Sequence, residues 1–178
     1  EKNMTSTKKN ILVTGGAGFI GSNFINYIHK KYPDYNIELL DALTYAGNLD
    51  NIVNELKLNG HFRFSHGNVT HPDIVNQLVS NSDIVVHFAA ESHVTRSIYD
   101  NSLFFETDVI GTQVLANAIV NHPVERFIHI SSSEVYGTAL TAPMDEEHPL
   151  NPMSPYAAAK AGADRLVYSY VHTYGLPA

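Results

Sequence analysis

Two side chains in the last quarter of the sequence, Tyr156 and Lys160, have the spacing of a proton-transfer pair. They lie in Ser154-Pro-Tyr-Ala-Ala-Ala-Lys160, where Pro155 suits the start of a helix. Residues four apart share one helix face, so the phenol and the ammonium would be neighbours. A phenol alone is a poor base at neutral pH, but a nearby ammonium stabilises the phenolate. The pair could take a proton from a hydroxyl group as hydride leaves, although the same spacing also arises by chance in structural helices.

Three glycines at every third position could bring a phosphate group close to the backbone. Gly15, Gly18 and Gly21 follow the apolar run that ends at Thr14 and precede a helical pattern. In this setting the glycines permit a tight turn, a pyrophosphate at the helix N-terminus and close packing of helix on strand. Asp41 follows a second apolar run, 20 residues beyond Gly21, where a carboxylate can bind an adenosine ribose. The pattern predicts a dinucleotide site and favours NAD over NADP; the alternative is a glycine turn with a helix-capping aspartate.

Alternating strand and helix patterns must position these residues. Short β-branched runs predict strands at 11–14, 37–40, 62–65, 84–88 and 127–131. Helical spacing predicts helices at 19–31, 49–58, 72–79, 103–121 and 155–174. Near-continuous apolar strands joined by helices favour a parallel sheet covered on both faces. We therefore predict an α/β, doubly wound Rossmann fold, with ligands bound outside the carboxyl ends of the strands.

The composition fits one domain. Of 178 residues, 44% are hydrophobic and 16% are charged, and the formal net charge is -7. One sizeable core is possible, and the lack of a clustered basic stripe argues against nucleic acid as a partner. We predict a disordered leader at 1–9 and a dinucleotide-binding domain at 10–178.

The same survey bears on the compartment. No apolar stretch approaches the roughly 18 residues that span a bilayer, and the polar start lacks the apolar segment of a signal peptide. The chain has no cysteine, which excludes disulfides and thiolate metal sites and is compatible with a reducing compartment. We expect a cytoplasmic protein with no membrane partner.

Together, the glycine and tyrosine motifs resemble those of the extended short-chain dehydrogenase/reductase superfamily. Within it, the chain resembles nucleotide-sugar 4,6-dehydratases of the dTDP-glucose type. This similarity is carried by Asp41-Ala-Leu-Thr-Tyr-Ala-Gly-Asn-Leu-Asp50, His87-Phe-Ala-Ala-Glu-Ser-His-Val-Thr-Arg-Ser97 and Ser133-Glu-Val-Tyr-Gly137. It implies a bound NAD that is reduced and reoxidised within one turnover, and conversion of dTDP-glucose to its 4-keto-6-deoxy product with loss of water. We expect the family's C-terminal sugar-binding lobe to lie outside the given chain.

The resemblance implies roles for the catalytic residues. Tyr156 would take the proton of the sugar 4-hydroxyl, while Lys160 holds the cofactor ribose and stabilises the phenolate. Glu134 would remove the C5 proton, a role that suits a carboxylate because partial burial can make it more basic. Ser132 would hydrogen-bond the developing oxyanion at C4. Ser132 and His93 are also implied as substrate-binding residues.

The resemblance further implies a set of cofactor contacts. They are Gly15, Gly18, Phe19, Ile20, Gly21, Asp41, Thr44, Asn68, Val69, Ala89, Ala90, Ser92, Thr107, Tyr156 and Lys160. Phe19 and Ile20 would lie along the pyrophosphate, and Asn68 and Val69 near the adenine, although an Asp is usual where Asn68 stands. The nicotinamide side would consist of Ala89, Ala90, Ser92 and Thr107.

Three further positions depart from the dTDP-glucose type. Ser133 replaces an Asp that usually protonates the leaving hydroxyl, Thr95 stands where Asp is usual, and Asp108 stands where Asn is usual. A Ser-Glu pair also occurs in similar GDP-mannose 4,6-dehydratases and in UDP-glucuronate decarboxylases, which need no water loss. The loop 89–94 resembles the dehydratases, which favours dehydration over decarboxylation.

Other functions remain open at this stage. An NDP-sugar 4-epimerase would need Tyr156 and NAD but would not use Glu134 as a C5 base. A sensor module would bind NAD without turnover. The change Glu134→Gln would separate a catalyst from a sensor, because a catalyst should lose activity and keep its NAD affinity.

The remaining patterns favour structural roles. No histidine pair has metal-ligand spacing on a predicted helix, so we expect no metal site. His87 and His129 fall within predicted strands and are expected in the core, whereas His61, His66 and His71 lie in or beside predicted turns. The helices at 103–121 and 155–174 carry apolar faces that form a dimer interface in this superfamily, and the alternative is that they only cover the sheet. We expect a homodimer.

Overall fold

The computed structural model describes residues 8–178. Residues 1–7, most of the predicted disordered leader, lie outside the described residues. At the end of that predicted leader, the carbonyl oxygen of Lys9 accepts the N–H of Asn36 at 2.9 Å, and its ammonium pairs with Glu125.

The core of the molecule is a parallel sheet of five strands in the order β3-β2-β1-β4-β5. The strands are β1 (Asn10–Thr14), β2 (Asn36–Asp41), β3 (Phe62–His66), β4 (Ile84–His87) and β5 (Arg126–His129). In the centre, Val13 lies opposite Leu39 on one side and Val86 on the other. The predicted doubly wound parallel fold is confirmed, and all strands end at the same edge of the sheet.

Helices connect the strands and cover both faces. They are α1 (Phe19–Lys31), α2 (Asn54–Leu58), α3 (Pro72–Val79), α4 (Val94–Tyr99), α5 (Ser102–Phe104), a π-helical turn (Phe105–Ile110), α6 (Gly111–Asn121) and α7 (Pro155–Tyr174). Short 3-10 turns occur at Leu49–Asn51 and Ser133–Tyr136. Alternate strand residues point to opposite faces: Val13 packs with α1 and α2, and Leu12 packs with α3, α6 and α7.

The predicted helix at 49–58 is wrong as a single element. It is a 3-10 turn and α2, separated by extended backbone at Ile52 and Val53. The side chain of Asn26 donates to the carbonyl oxygen of Asn51 at 2.9 Å and accepts the N–H of Val53 at 3.1 Å. These bonds replace the helical ones, so the segment turns towards α1. The prediction also missed α4 and extended β5 two residues too far.

The run Ser102–Asn121, which contains α5, the π-helical turn and α6, has the length and hydropathy of a membrane-spanning helix. This differs from the expectation that no stretch would approach that length. Leu115 and Ile119 of the run are buried in the core with α3 and α7. A helix that covers a sheet in a core can meet the same criterion.

Candidate functional site

The turn after β1 requires glycine at two positions. Gly15 has a φ of +68°, and a Cβ at this position would lie 2.4 Å from the backbone nitrogen of Ala89. A Cβ on Gly21, in the first turn of α1, would lie 2.5 Å from the carbonyl oxygen of Gly15. The backbones of α1, of the turn after β1 and of the loop after β4 are therefore in direct contact. Only glycine fits at positions 15 and 21 without a shift of this backbone.

Gly18 differs, because the protein leaves open the space that its side chain would fill. A Cβ there would touch only the carbonyl oxygen of Gly15, at 3.4 Å. Gly18 is the N-cap of α1 and supplies no capping side chain. The first N–H groups of a helix lack acceptors within the helix, and they lie at the positive end of its dipole. The turn thus fits phosphate oxygens held against the backbone.

Asp41 ends β2 as a buried carboxylate held by the backbone. Its Oδ2 accepts the N–H of Ala17 at 2.9 Å, and its Oδ1 accepts the N–H of Leu43 at 2.8 Å. A Cβ on Gly47 would lie 2.8 Å from Oδ1, so the loop after β2 folds closely around the carboxylate. Each oxygen keeps a lone pair. Asp41 can therefore accept hydrogen bonds from two hydroxyl groups of a ribose.

A cleft of about 430 Å³ runs along the carboxyl ends of the strands. All fifteen residues for which the family resemblance implies a cofactor contact line it: Gly15, Gly18, Phe19, Ile20, Gly21, Asp41, Thr44, Asn68, Val69, Ala89, Ala90, Ser92, Thr107, Tyr156 and Lys160. A larger hollow of about 720 Å³, lined by residues of β1, β2, β3 and α3 and of the loops beside them, contains none of them. We take the smaller cleft as the candidate site, because ligands of parallel sheets bind at this edge.

At the end of the cleft predicted to hold the adenine, the side chain of Asn68 makes a hydrogen bond within its own loop. Its Oδ1 accepts the N–H of Thr70 at 3.0 Å, and its carbonyl oxygen accepts the N–H of His71 at 3.1 Å. Val69 is buried, and a Cβ on Gly111 would lie 2.6 Å from its Cγ2. The Asn68 amide keeps a donor for a ligand, whereas Val69 packs into the core.

Tyr156 and Lys160 lie at the start of α7, which forms the opposite end of the cleft. Ser154 caps the helix by accepting the N–H of Ala157 at 3.1 Å, and the hydroxyl of Ser97 accepts the N–H of Tyr156 at 3.1 Å. The Tyr156 ring meets Phe104 edge to face. Lys160 is 5% exposed and donates to the carbonyl oxygen of Ile130 at 2.7 Å. Burial lowers the pKa of Lys160 below its ordinary value.

The remaining predicted site residues lie outside the cleft lining, in the segment after β5 and at the start of α4. The hydroxyl of Ser132 accepts the N–H of Glu134 at 3.2 Å and so caps the 3-10 turn. Glu134 and Ser133 are exposed, and so is His93 at the N-cap of α4. The partial burial expected for Glu134 is not provided by residues 8–178. Ser131, by contrast, lines the cleft and has a buried hydroxyl without a partner in the same range.

Of the two histidines predicted in the core, His87 is buried and His129 is half-buried, with both of its ring nitrogens covered. The His87 ring lies between the hydroxyls of Thr14, at 2.6 Å, and Thr112, at 3.0 Å. Burial lowers the pKa of His87 well below its usual value and lowers the pKa of His129 to about 4. Both rings are therefore neutral near pH 7. Within the described range, no three histidine, aspartate or glutamate side chains gather to hold a metal ion.

Two buried carboxyl groups at the cleft were missing from the predicted site. Glu91 lines the cleft and is 4% exposed, and Asp108, which follows Thr107 in the chain, is 1% exposed. Oδ1 of Asp108 accepts the N–H of Glu91 at 2.7 Å. Glu91 stands in the motif 87–97, and Asp108 is a position that departs from the family pattern. The burial of both depends on α7 and the loop after β4, which the local sequence does not reveal.

Comparisons with known proteins extend this description. A family model described as GDP-mannose 4,6 dehydratase matches residues 12–178. The low-salt glycan biosynthesis protein Agl12 of Haloferax volcanii is 48% identical over 167 residues, which cover 94% of this chain and 53% of the relative. A dTDP-glucose 4,6-dehydratase of Mycobacterium tuberculosis is 46% identical over 171 residues, which cover 94% and 50%.

Solved structures agree with these relatives. The dTDP-glucose 4,6-dehydratase DesIV of Streptomyces venezuelae, solved with NAD bound, superposes with a TM-score of 0.88 at 45% identity. The match covers 94% of this chain and 53% of DesIV. The chain spans about half the length of the curated relatives it matches.

Proposed function

The chain belongs to the GDP-mannose 4,6 dehydratase family, and from that premise we propose that it is the dinucleotide-binding part of an NAD-dependent nucleotide-sugar 4,6-dehydratase, a lyase that acts on dTDP-glucose. One observation carries the proposal: a single cleft collects the glycine turn, Asp41 and the Tyr156–Lys160 pair. The similarity to dTDP-glucose 4,6-dehydratases supports the choice of substrate.

The residues of the cleft fit NAD on two structural grounds. The space beside Gly18 is open to a phosphate, and both oxygens of Asp41 can accept from ribose hydroxyls. A phosphate on the ribose would meet the charge of Asp41, which disfavours NADP. When bound, NAD supplies a hydride acceptor that later returns the hydride to the sugar.

Tyr156 is the proposed base for the sugar 4-hydroxyl. The Tyr156 ring packs edge to face on Phe104, and the backbone N–H of Tyr156 donates to the hydroxyl of Ser97. Lys160 lies one helical turn on and is fixed by the carbonyl oxygen of Ile130. Its ammonium stabilises the phenolate, so that a phenol can work as a base near neutral pH.

Glu134 and its neighbours are proposed to catalyse the elimination of water from the sugar. A ketone at C4 makes the C5 proton acidic, and Glu134 removes it as the C6 hydroxyl leaves. Ser132 donates to the oxyanion at C4. Ser133 cannot supply an acid to the leaving hydroxyl, so proton delivery must come from another group or from water.

The experiment that tests this function uses the natural protein that carries this sequence. It is incubated separately with dTDP-glucose, UDP-glucose, UDP-N-acetylglucosamine, GDP-mannose and UDP-glucuronate, without added NAD, and product masses are read. Loss of the mass of water from dTDP-glucose supports the proposal. Loss of carbon dioxide from UDP-glucuronate makes the protein a decarboxylase. An unchanged mass with every sugar contradicts dehydration and leaves epimerisation, which is read by chromatography, or NAD sensing.

We also infer a homodimer and a cytoplasmic location for the natural protein. Large apolar side chains are exposed on the π-helical turn and on α7, among them Phe105, Ile110 and Tyr168. Their burial against a second copy would remove them from water. Sedimentation at twice the chain mass supports the dimer and sedimentation at the single mass contradicts it. Cell fractionation tests the location.

A further inference from the structure

A buried carboxyl group lies behind the cleft wall at the proposed nicotinamide end. Asp108 belongs to the π-helical turn, one residue after Thr107, and its side chain is 1% exposed. Oδ1 accepts the N–H of Glu91, whereas Oδ2 is buried without a hydrogen-bond partner among residues 8–178. A bare carboxylate oxygen in such a place is costly. The geometry therefore favours a carboxyl group that carries a proton in the empty cleft.

The titratable groups around Asp108 come from four parts of the structure. The titratable groups of the elements packed around the π-helical turn are Lys160, Tyr156 and Asp164 of α7, Glu91 of the loop after β4, His87 of β4 and His129 of β5. The histidines are neutral near pH 7, so they add no charge there. Lys160 is the nearby cation, and it stabilises an Asp108 anion, whereas Glu91 opposes one.

Asp108 titrates in the neutral range. Burial raises the pKa of Asp108 to about 7. Burial also raises the pKa of Glu91, but there Arg96 and the hydroxyl of Tyr45 act in the opposite direction. Arg96 lies over the Tyr45 ring, 4.0 Å from its centroid. Oε2 of Glu91 is also buried without a partner among residues 8–178, so the variants below must separate the two carboxyl groups.

Building on the proposed function, we propose that Asp108 is a positioning residue that makes the cleft prefer the oxidised over the reduced nicotinamide. The oxidised ring carries a positive charge and the reduced ring carries none. An Asp108 anion lies behind the cleft wall, next to Lys160 and the loop that carries Glu91. Its negative charge attracts the positively charged oxidised nicotinamide and not the neutral reduced ring. By linkage, the preference for NAD over NADH rises as Asp108 loses its proton.

The test compares the affinities of the two cofactor forms. The natural protein is stripped of cofactor, and the Kd values of NAD and NADH are measured by calorimetry at several pH values. From about pH 6 to about pH 8, the ratio of the NADH Kd to the NAD Kd should rise by about tenfold. In Asp108→Asn the ratio should stay near its value at low pH, because the amide has the same shape and no charge.

Two further variants sharpen the result. Asp83→Asn is the matched control, because the Asp83 carboxylate also accepts a backbone N–H, that of Asn10 at 2.7 Å, at the opposite end of the sheet. It should behave as the unaltered protein. A purely structural role for Asp108 would weaken both cofactor forms and leave the pH slope in place, which overturns the proposal. Loss of the slope in Glu91→Gln but not in Asp108→Asn overturns it as well.

Failure of this inference is distinct from failure of the proposed function. If the unaltered protein binds both cofactor forms with a ratio that does not change with pH, the role of Asp108 is overturned and NAD binding stands. If it binds neither form, the NAD-dependent function falls too.

Discussion

At the scale of single residues, the glycines of the β1–α1 turn separate folding from binding. Gly15→Ala places a methyl group against the backbone of Ala89 at a φ of +68°. We expect it to lower the free energy of unfolding by about 3 kcal/mol or more. Gly18→Ala meets one ordinary contact and should cost under about 1 kcal/mol, yet its methyl group occupies the space left for a phosphate.

Thermal denaturation and NAD titration distinguish the two glycine variants. Gly18→Ala should melt close to the unaltered protein without cofactor and bind NAD at least about tenfold more weakly, a loss of about 1.4 kcal/mol. A Gly18→Ala protein with full NAD affinity would show that no phosphate approaches this part of the backbone.

Glu134 supplies the second prediction at this scale. Glu134→Gln removes the proposed C5 base, so turnover should fall about a hundredfold or more. NAD affinity should remain, since Glu134 is exposed and lies outside the cleft lining. Turnover is followed by product mass and NAD content by absorbance of the released cofactor. Glu147→Gln, at another exposed loop position, is the matched control, and equal turnover in both variants would remove Glu134 from the mechanism.

At the scale of elements, the side chain of Asn26 ties α1 to the segment before α2. It bonds both the carbonyl oxygen of Asn51 and the N–H of Val53. Asn26→Ala leaves these groups without that partner and should lower the free energy of unfolding by about 1 to 3 kcal/mol. Asn23→Ala is the control, because Asn23 is exposed and bonds only within its own helix, to the carbonyl oxygen of Phe19. Urea denaturation that ranks Asn23→Ala as the more damaging change would contradict this account.

The elements also show which structural features local sequence can predict. β1 and α1 follow from apolar period and glycine spacing, and both were predicted to within one residue. The interruption before α2 depends on a side chain from another helix, which no local pattern contains. α4 is short and begins at Val94 without a side-chain cap, so it lacked the start signal that identified α7 at Ser154 and Pro155.

The candidate site was predictable to the extent that its residues follow strand ends. Asp41 ends β2 and Ala89 follows β4, and both stand in the motifs on which the family resemblance was based. The burial of Glu91 and Asp108 could not, because it arises where the loop after β4 meets the π-helical turn and α7. Their carboxyl chemistry is set by tertiary packing rather than by spacing.

At the scale of the whole molecule, Asp108 and His129 respond to pH in opposite directions. Asp108 has a pKa of about 7 in the fold against 3.8 for an ordinary aspartate. The folded state therefore holds its proton more tightly, and the stability from Asp108 is lost as pH rises from about 4 to about 7. His129 has a pKa of about 4 against 6.5. The unfolded chain protonates that ring more readily, so the stability from His129 is lost as pH falls through the same window.

These two contributions nearly cancel, which gives the last prediction. At about 1.4 kcal/mol for each pKa unit, Asp108 and His129 contribute about 4 and about 3 kcal/mol in opposite directions. Burial of His87 acts with His129, and burial of Glu91 acts with Asp108. The unaltered protein should show little change in stability between about pH 4 and about pH 7. Asp108→Asn removes the contribution that falls as pH rises and leaves that of the histidines. The stability of this variant should therefore rise with pH across this window. Urea denaturation at several pH values, with Asp83→Asn as the control, measures both slopes. A stability that rises equally with pH in the unaltered protein and in Asp108→Asn would mean that Asp108 is already ionised in the folded protein, and that Lys160, rather than a proton, balances its charge.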